Sequence, residues 1–284
     1  MSPETEEKLA AFFTGFPGEG QPILLLDYDG TLAPFRVDRF EARPFAGVRE
    51  LLMRIQKQGA TRMAVITGRP AGEIRPLLGL DVSLEVWGLH GAERMYPDGR
   101  RELELEAAPS ALEKLQELRE RLRRDSLGGL FEDKPNACVM HWRGVTPQKA
   151  RAIEKRTRQL FEPLAEMDGL GLLEFEAGLE LRVGRDKGGA VYAILDEAEA
   201  HEPVGPVAYL GDDLTDESAF RAVNGLEDGA HLSVLMRHSW RETDADVWLQ
   251  PPAELREFLG LWLRAVEGRV TAKVSTKDEE LTAV

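Results

Sequence analysis

Short, uninterrupted apolar runs alternate with amphipathic segments over the first hundred residues and again after residue 184. PILLLDYDG, MAVITGRP, LEVWGLHG and PVAYLGDD are the clearest runs, and each gives way to Gly, Asp or Thr. Continuous apolar runs of this length predict strands buried on both faces, as in a parallel sheet covered by helices. FAGVRELLMRIQKQG and GGAVYAILDEAEA repeat their apolar residues at helical spacing, and TDESAFRAV opens with a Thr-x-x-Glu-like cap. The alternation predicts an α/β fold with a doubly wound, mostly parallel, Rossmann-like core.

The middle of the chain breaks this rhythm. APSALEKLQELRERLRRDSL predicts a charged amphipathic helix, and FEDKPNACVMHWRG an alternating, strand-like stretch. TPQKARAIEKRTRQLFEPL predicts a second helix, opened by Thr146 and Pro147. LLEFEAGLELRV reads as a hairpin turning near Ala177-Gly178. Residues 103–183 therefore read as an inserted α+β domain, too long for a loop, between core segments 1–102 and 184–284. The tail, TAKVSTKDEELTAV, is polar and aperiodic and reads as irregular.

Composition narrows the classes of function. With 43% hydrophobic and 30% charged residues, the 284-residue chain is that of a globular protein. No apolar run approaches the ~20 residues that span a bilayer, so no membrane partner is expected. The N-terminal MSPETEEKLAAFF carries acids where a secretory signal carries Lys or Arg, and Cys138 is the sole cysteine. Both fit a cytoplasmic protein. A net charge of −14 argues against a general nucleic-acid binder. It leaves room for a small anionic substrate, since a metal ion and a few cations can reverse the potential inside a cleft.

Four features sit at the carboxyl ends of predicted core strands, where open parallel sheets bind ligands. In LLLDYDGTLAPF, Asp27 and Asp29 leave a buried strand together. Paired carboxylates raise each other's pKa unless a cation such as Mg²⁺ neutralises them. One can attack phosphorus while the other serves as acid and base; the alternative is a polar strand exit, where Asp and Gly are common. Alternation points both carboxylates to one side, but the turn at Gly30 offsets the second. Thr67, ending AVITGRP, can offer its hydroxyl and N–H to a phosphoryl oxygen. Lys187, opening a helix in VGRDKGGAV, can neutralise charge between nucleophile and phosphate; taken alone it reads more readily as a surface lysine. Asp212, Asp213 and Asp216 crowd the end of AYLGDDLTDESAF, where they can hold a metal, orient Lys187 or cap the next helix.

DxDGT, a Thr after a hydrophobic strand, a Lys and GDDxxD, in that order, resemble the haloacid dehalogenase superfamily over roughly residues 20–100 and 184–265. The resemblance implies Asp27 as nucleophile, Asp29 as acid and base, and Thr67 and Lys187 as phosphate contacts. It implies Mg²⁺ held by Asp27, Asp212 and Asp29, the last through its backbone carbonyl. Gly68, Arg69, Asp213 and Asp216 are the expected phosphate or supporting groups. An insert at 103–183 looks like the cap that closes the cleft and selects the substrate.

LDYDGTLAPF, VITGRP, GLHGAER, KPNACVMHWRG and GDDLTDESAF together resemble the trehalose-6-phosphate phosphatases. That family implies a sugar-phosphate substrate, trehalose 6-phosphate, with sugar contacts at Glu132, Lys134 and Glu180. Asn136, His141 and Arg143 complete a predicted set of cap donors and acceptors for sugar hydroxyls, and His90 is a candidate cleft residue or a hydrogen-bonded core residue. ELRVG departs from the family's usual Glu-x-Arg-Pro by placing Val183 at the proline. Other sugar or glyceryl phosphates, and an idle sugar-phosphate-binding partner of a synthase, remain alternative readings. A transient synthase partner is compatible with either.

Overall fold

A computed structural model describes residues 1–16, 19–36, 38–80, 84–103, 108–124, 130–201, 203–227 and 229–282, with side chains as far as 269. Its helices are α1 (Pro3–Thr14), α2 (Val48–Gln58), α3 (Ala71–Leu78), α4 (Pro109–Arg124), α5 (Pro147–Ala165), α6 (Lys187–Glu199), α7 (Glu217–Asn224) and α8 (Ala253–Thr282). Strands β1 (Gln21–Leu26), β2 (Arg62–Ile66), β3 (Glu85–Gly88), β4 (Glu93–Met95) and β5 (Arg101–Leu103) come first. β6 (Phe131–Lys134), β7 (Ala137–His141), β8 (Leu170–Phe175) and β9 (Gly178–Val183) occupy the middle. β10 (Val204–Gly211), β11 (His231–Met236) and β12 (Val247–Leu249) follow.

The core strands form one sheet in the order β12-β11-β10-β1-β2-β3-β4-β5, parallel as far as β3 and antiparallel beyond it. The apolar strand runs are explained by helices on both faces. Leu24 and Leu26 of β1 pack with α1, α2, α3 and α8, while Ile23 and Leu25 pack with α6 and α7. This is the mostly parallel, doubly wound core that the hydrophobic alternation predicts. The chain runs from β1 to β2 on one side and returns to β10 on the other. The carboxyl ends of β1 and β10 are therefore a topological switch point, where a crevice opens. Asp27 stands there, its N–H donating to Leu210 O at 2.8 Å.

The middle strands form a separate antiparallel sheet, β6-β7-β9-β8. One face packs Cys138, Met140, Leu179 and Leu181 against α4 and α5; the last residues of the first predicted cap helix, 125–127, lie outside the described residues. The other face carries Glu132, Lys134, Val139, His141, Glu180 and Phe175 toward the crevice. FEDKPNACVMHWRG, readable as one strand or a hairpin, is a hairpin turning at Pro135-Asn136 between β6 and β7, because proline cannot donate to a ladder. The turn at Asn136 also ends the parity that it shares with Glu132 and Lys134 in an unbroken strand. LLEFEAGLELRV folds as the expected hairpin, turning at Glu176-Ala177.

The cap rests against the core. Arg39 Nη1 donates to Glu132 Oε1 at 2.9 Å, Lys134 Nζ to Gly68 O at 3.2 Å, and Arg237 pairs with Glu176. At the far end, the tail expected to be irregular continues α8 to Thr282; no Gly or Pro interrupts it after Gly268. No described helix is long and apolar enough to cross a membrane.

The start of α8 seals the core. Trp262 is fully buried, its ring 6.1 Å from that of Phe12 and 4.9 Å from that of Phe16, and its Nε1–H donates to Thr61 Oγ1 at 3.1 Å. Trp262→Ala should destabilise the protein by roughly 3–5 kcal/mol in urea unfolding. A loss below ~1 kcal/mol would show that α8 is not part of the cooperative core.

Candidate active site

The site begins where β1 stops. After Asp27 the chain turns through Tyr28-Asp29-Gly30, with Leu32 and Ala33 N–H groups both donating to Tyr28 O and Gly30 N–H to Ala33 O. The Tyr28 hydroxyl donates to Ala42 O at 2.6 Å, fixing this turn to the following loop. Gly30 has φ of +85°, and a Cβ there would lie 2.0 Å from Asp212 Oδ2. Glycine is required by both the backbone and that close approach.

Across the switch point, β10 delivers Asp212, and the turn that follows is organised by Asp216. Asp216 Oδ2 accepts from the N–H groups of Asp212 and Asp213 at 3.0 and 2.9 Å. Its Oδ1 accepts from Tyr209 Oη at 2.6 Å and Lys187 Nζ at 2.7 Å. Asp213 caps the same turn, its side chain accepting from Leu214 N–H. Lys187 stands at the first position of α6, where the Asp186 side chain caps by accepting from Gly189 N–H at 2.8 Å. Lys187 Nζ also donates to Asp27 Oδ1 at 2.7 Å.

Charge dominates this cluster. Asp27, Asp212 and Asp216 can each bring a carboxylate oxygen within 4.8 Å of the others, and all three are buried. Burial pushes the Asp27 carboxyl up to about 7, Asp216 and Asp29 adding to the rise and Lys187 opposing it. Burial, then Asp27 and Asp216, also raise Asp212 well above the usual carboxylate range. Lys187 moves upward too, because Asp216 and Asp27 outweigh the burial of its ammonium. Three carboxylates against one ammonium leave two negative charges uncompensated, the charge of one divalent cation. Asp216 has four donors and little left to offer a metal. Among the described residues no donor reaches the Asp212 carboxylate, and Asp27 retains its second oxygen. The donor set thus fits a hard, oxygen-seeking ion such as Mg²⁺, held chiefly by Asp27 and Asp212.

The other residues expected at the site divide into three groups. Thr67, at the end of β2, is buried; its N–H donates to Trp87 O, and its Oγ1 accepts from Arg69 N–H at 3.2 Å. Thr67, Gly68 and Arg69 line the crevice with Asp27, Asp29, Lys187, Asp212 and Asp213. Asp29 is held by Arg69: both its oxygens accept from that guanidinium, whose Nη1 donates to Arg39 O at 2.6 Å. Arg69, expected near phosphate, is committed to Asp29. From the cap, Glu132, Lys134, His141, Arg143 and Glu180 face the same cavity of about 280 Å³.

Asn136 is not brought to the cavity. It is buried in the turn, where its Nδ2 donates to Val183 O at 3.1 Å.

Within the cap set, Lys134 Nζ donates to Glu180 Oε2 at 2.8 Å, and Glu132 Oε2 lies 2.9 Å from His141 Nε2. The His141 contact, with Lys134 and Arg39, holds the Glu132 carboxyl down to about 2. Several contributors carry no motif. Tyr209 sits in an apolar strand, and only its hydroxyl suggests a polar partner. Arg39 lies in a short 3₁₀ turn, and Phe35 and Phe175 read as ordinary apolar residues, yet both rings line the cavity.

The family model described as Trehalose-phosphatase matches residues 25–251. A trehalose-phosphate phosphatase of Mycobacterium marinum is 32% identical over 255 residues, covering 84% of this chain. The chain spans 61% of that relative's length. Among solved structures, the C-terminal domain of C. albicans trehalose-6-phosphate phosphatase superposes with a TM-score of 0.75 at 21% identity. That match covers 90% of this chain and 96% of that one. A haloacid dehalogenase-like hydrolase from B. subtilis shares the fold with a TM-score of 0.58 at 19% identity, covering 84% of this chain and 98% of its own.

Two measurements test the cluster without an activity assay. Mg²⁺ should raise the melting temperature, and Asp212→Asn should remove that rise; a rise that survives would place the ion elsewhere. Asp216→Ala strips four donors of their acceptor and leaves Lys187 with Asp27 alone. It should cost roughly 3–5 kcal/mol in urea unfolding, and a loss under ~1 kcal/mol would deny Asp216 its organising role.

Proposed function

The chain belongs to the trehalose-phosphatase family, and we propose that it hydrolyses trehalose 6-phosphate to trehalose and phosphate through a phosphoryl group carried on Asp27. The observation that carries this reading is the buried Asp27 carboxylate, held by Lys187 at the switch point and facing the cavity. Lys187 pins Oδ1 and leaves the other oxygen to attack phosphorus. The Asp27–phosphorus bond forms as the bond from phosphorus to the sugar oxygen breaks, and that oxygen takes a proton from Asp29. In the second half, water attacks phosphorus, Asp29 receives its proton, and Asp27 leaves as a carboxylate.

Asp29 must move for this. Both its oxygens are occupied by Arg69, so proton transfer requires it to swing from the guanidinium toward the leaving oxygen. That movement releases Arg69 toward the phosphate. Thr67 and the Gly68 backbone shape the phosphoryl pocket, and Lys187 offsets charge on the transferring group. Mg²⁺, held by Asp27 and Asp212, would neutralise the remaining negative charge and orient the phosphoryl oxygens. The Asp29 backbone carbonyl is the expected third protein ligand.

The cap supplies the sugar contacts. Glu132, Lys134, His141 and Glu180 on one sheet face, with Arg143 in the turn after β7, provide donors and acceptors, as a polyhydroxyl substrate needs. Phosphate release from trehalose 6-phosphate, sucrose 6-phosphate, glucose 6-phosphate and mannosyl-3-phosphoglycerate, with Mg²⁺ and with chelator, tests the substrate. Metal-dependent selectivity for trehalose 6-phosphate is expected, and preference for another member would replace the substrate while keeping the chemistry. Asp27→Asn should abolish turnover of every phosphate ester. Glu132→Ala and Lys134→Ala should each lower kcat/KM for trehalose 6-phosphate at least tenfold more than for 4-nitrophenyl phosphate. Equal losses on the two substrates would make these residues structural.

A further inference from the structure

At the carboxyl end of β3, Leu89 and His90 both adopt left-handed backbone, with φ of 51° and 58°. The turn hooks onto the phosphate loop: Leu89 N–H donates to Arg69 O at 2.9 Å and His90 N–H to Thr67 O at 2.8 Å. Glycine or asparagine would make the same backbone bonds with less strain. Strained residues persist where the surroundings demand the side chain as well as the backbone, and they cluster at functional sites.

The His90 side chain occupies a corner of the cavity where core and cap meet. A Cβ on Gly68 would lie 2.6 Å from His90 Nε2, so the ring packs directly against the phosphate loop. On the cap side, His90 Nε2 is 3.8 Å from Glu180 Oε2. Burial, with Lys134, Arg182 and Lys187 facing the ring, holds its pKa well below the usual histidine range, so the imidazole is neutral. A neutral ring has one donor and one acceptor nitrogen. Among the described residues Nδ1 is buried without a hydrogen-bond partner, and an unpaired lone pair costs less there than an unpaired N–H. The proton therefore belongs on Nε2. Glu180 is fully buried as well, and among the described residues its Oε1 accepts no hydrogen bond, the nearest cation being Arg182 Nε at 4.0 Å.

We propose that His90 is a specificity-determining residue, donating Nε2–H to a sugar hydroxyl near the phosphate ester while Glu180 accepts from the same hydroxyl. A hydroxyl is the group that can accept from a neutral N–H and donate to a carboxylate at once. The proximity of Gly68 confines it to the part of the sugar next to the phosphate. The assignment rests on the sugar-phosphate reading above and adds a core residue to the cap contacts.

The test compares wild type, His90→Gly and His90→Gln on trehalose 6-phosphate and on 4-nitrophenyl phosphate, with melting temperatures for each. Glycine relieves the left-handed strain, so the variant should fold. The ratio of kcat/KM for the sugar phosphate to that for the aryl phosphate should fall roughly 10- to 100-fold in His90→Gly. His90→Gln, which restores an N–H donor, should recover part of that ratio. Equal losses on both substrates would reduce His90 to a brace for the phosphate loop and overturn the proposal. A glutamine variant no better than glycine would overturn the donor role. If wild type ignores trehalose 6-phosphate, that substrate is wrong, and the same ratio is taken on the sugar phosphate it prefers. A wild type that hydrolyses only the aryl ester overturns both readings.

Discussion

A single buried ammonium joins the two halves of the site. Lys187 donates to Asp27 on one side and Asp216 on the other, each at 2.7 Å. Without it, two buried carboxylates would face each other across a low-dielectric crevice, a costly arrangement unless one protonates or moves. With it, Asp27 has one oxygen fixed and one free, and Asp216 can gather the Asp212 and Asp213 N–H groups into a turn. The same cap residue, Asp186, that starts α6 also determines where Lys187 stands. Helix capping, sheet topology and the orientation of the proposed nucleophile are thus one arrangement, tied to the β1–β10 switch point.

The division between core and insert suits the proposed chemistry. Phosphoryl transfer demands fixed charges and tight backbone turns, and the core provides them at strand ends held by a parallel sheet. Sugar recognition demands several donors and acceptors with adjustable spacing, and a short antiparallel sheet offers them on one face. The two surfaces meet at Lys134, which donates to Glu180 in the cap and to Gly68 O in the phosphate loop. His90 stands at the same junction from the core side. The proposed sugar contacts and phosphate contacts therefore adjoin one another at this junction.

Local sequence carried the core well. The runs ending in Asp27, Thr67 and Asp212 are buried on both faces, so their hydrophobicity is continuous and their polar ends stand out. The insert was readable as a change of rhythm, but its first segment could be read as one strand or a hairpin, because Pro135-Asn136 interrupts an otherwise alternating pattern. Asn136, expected as a cap donor, is instead buried by that turn, its Nδ2 donating to Val183 O. The Asp29–Arg69 fork escaped for another reason: each residue was visible in a motif, but their pairing depends on the turn at Gly30. Arg39, Tyr209 and Phe175 act through tertiary position, and no local pattern distinguishes them from residues that merely pack. The antiparallel edge β4–β5 and the helical tail were similarly faint, being short in one case and aperiodic in the other.

The central claim is that Asp27 carries the phosphoryl group. Rapid quenching during turnover, followed by borohydride reduction and peptide mass spectrometry, reads it directly, since an acyl phosphate is reduced where a free carboxylate is not. The account requires homoserine in place of Asp27, dependent on both substrate and Mg²⁺. Reduction at Asp29 or Asp212 instead, or turnover with no reducible residue under conditions that trap a known aspartyl-phosphate enzyme, would contradict it.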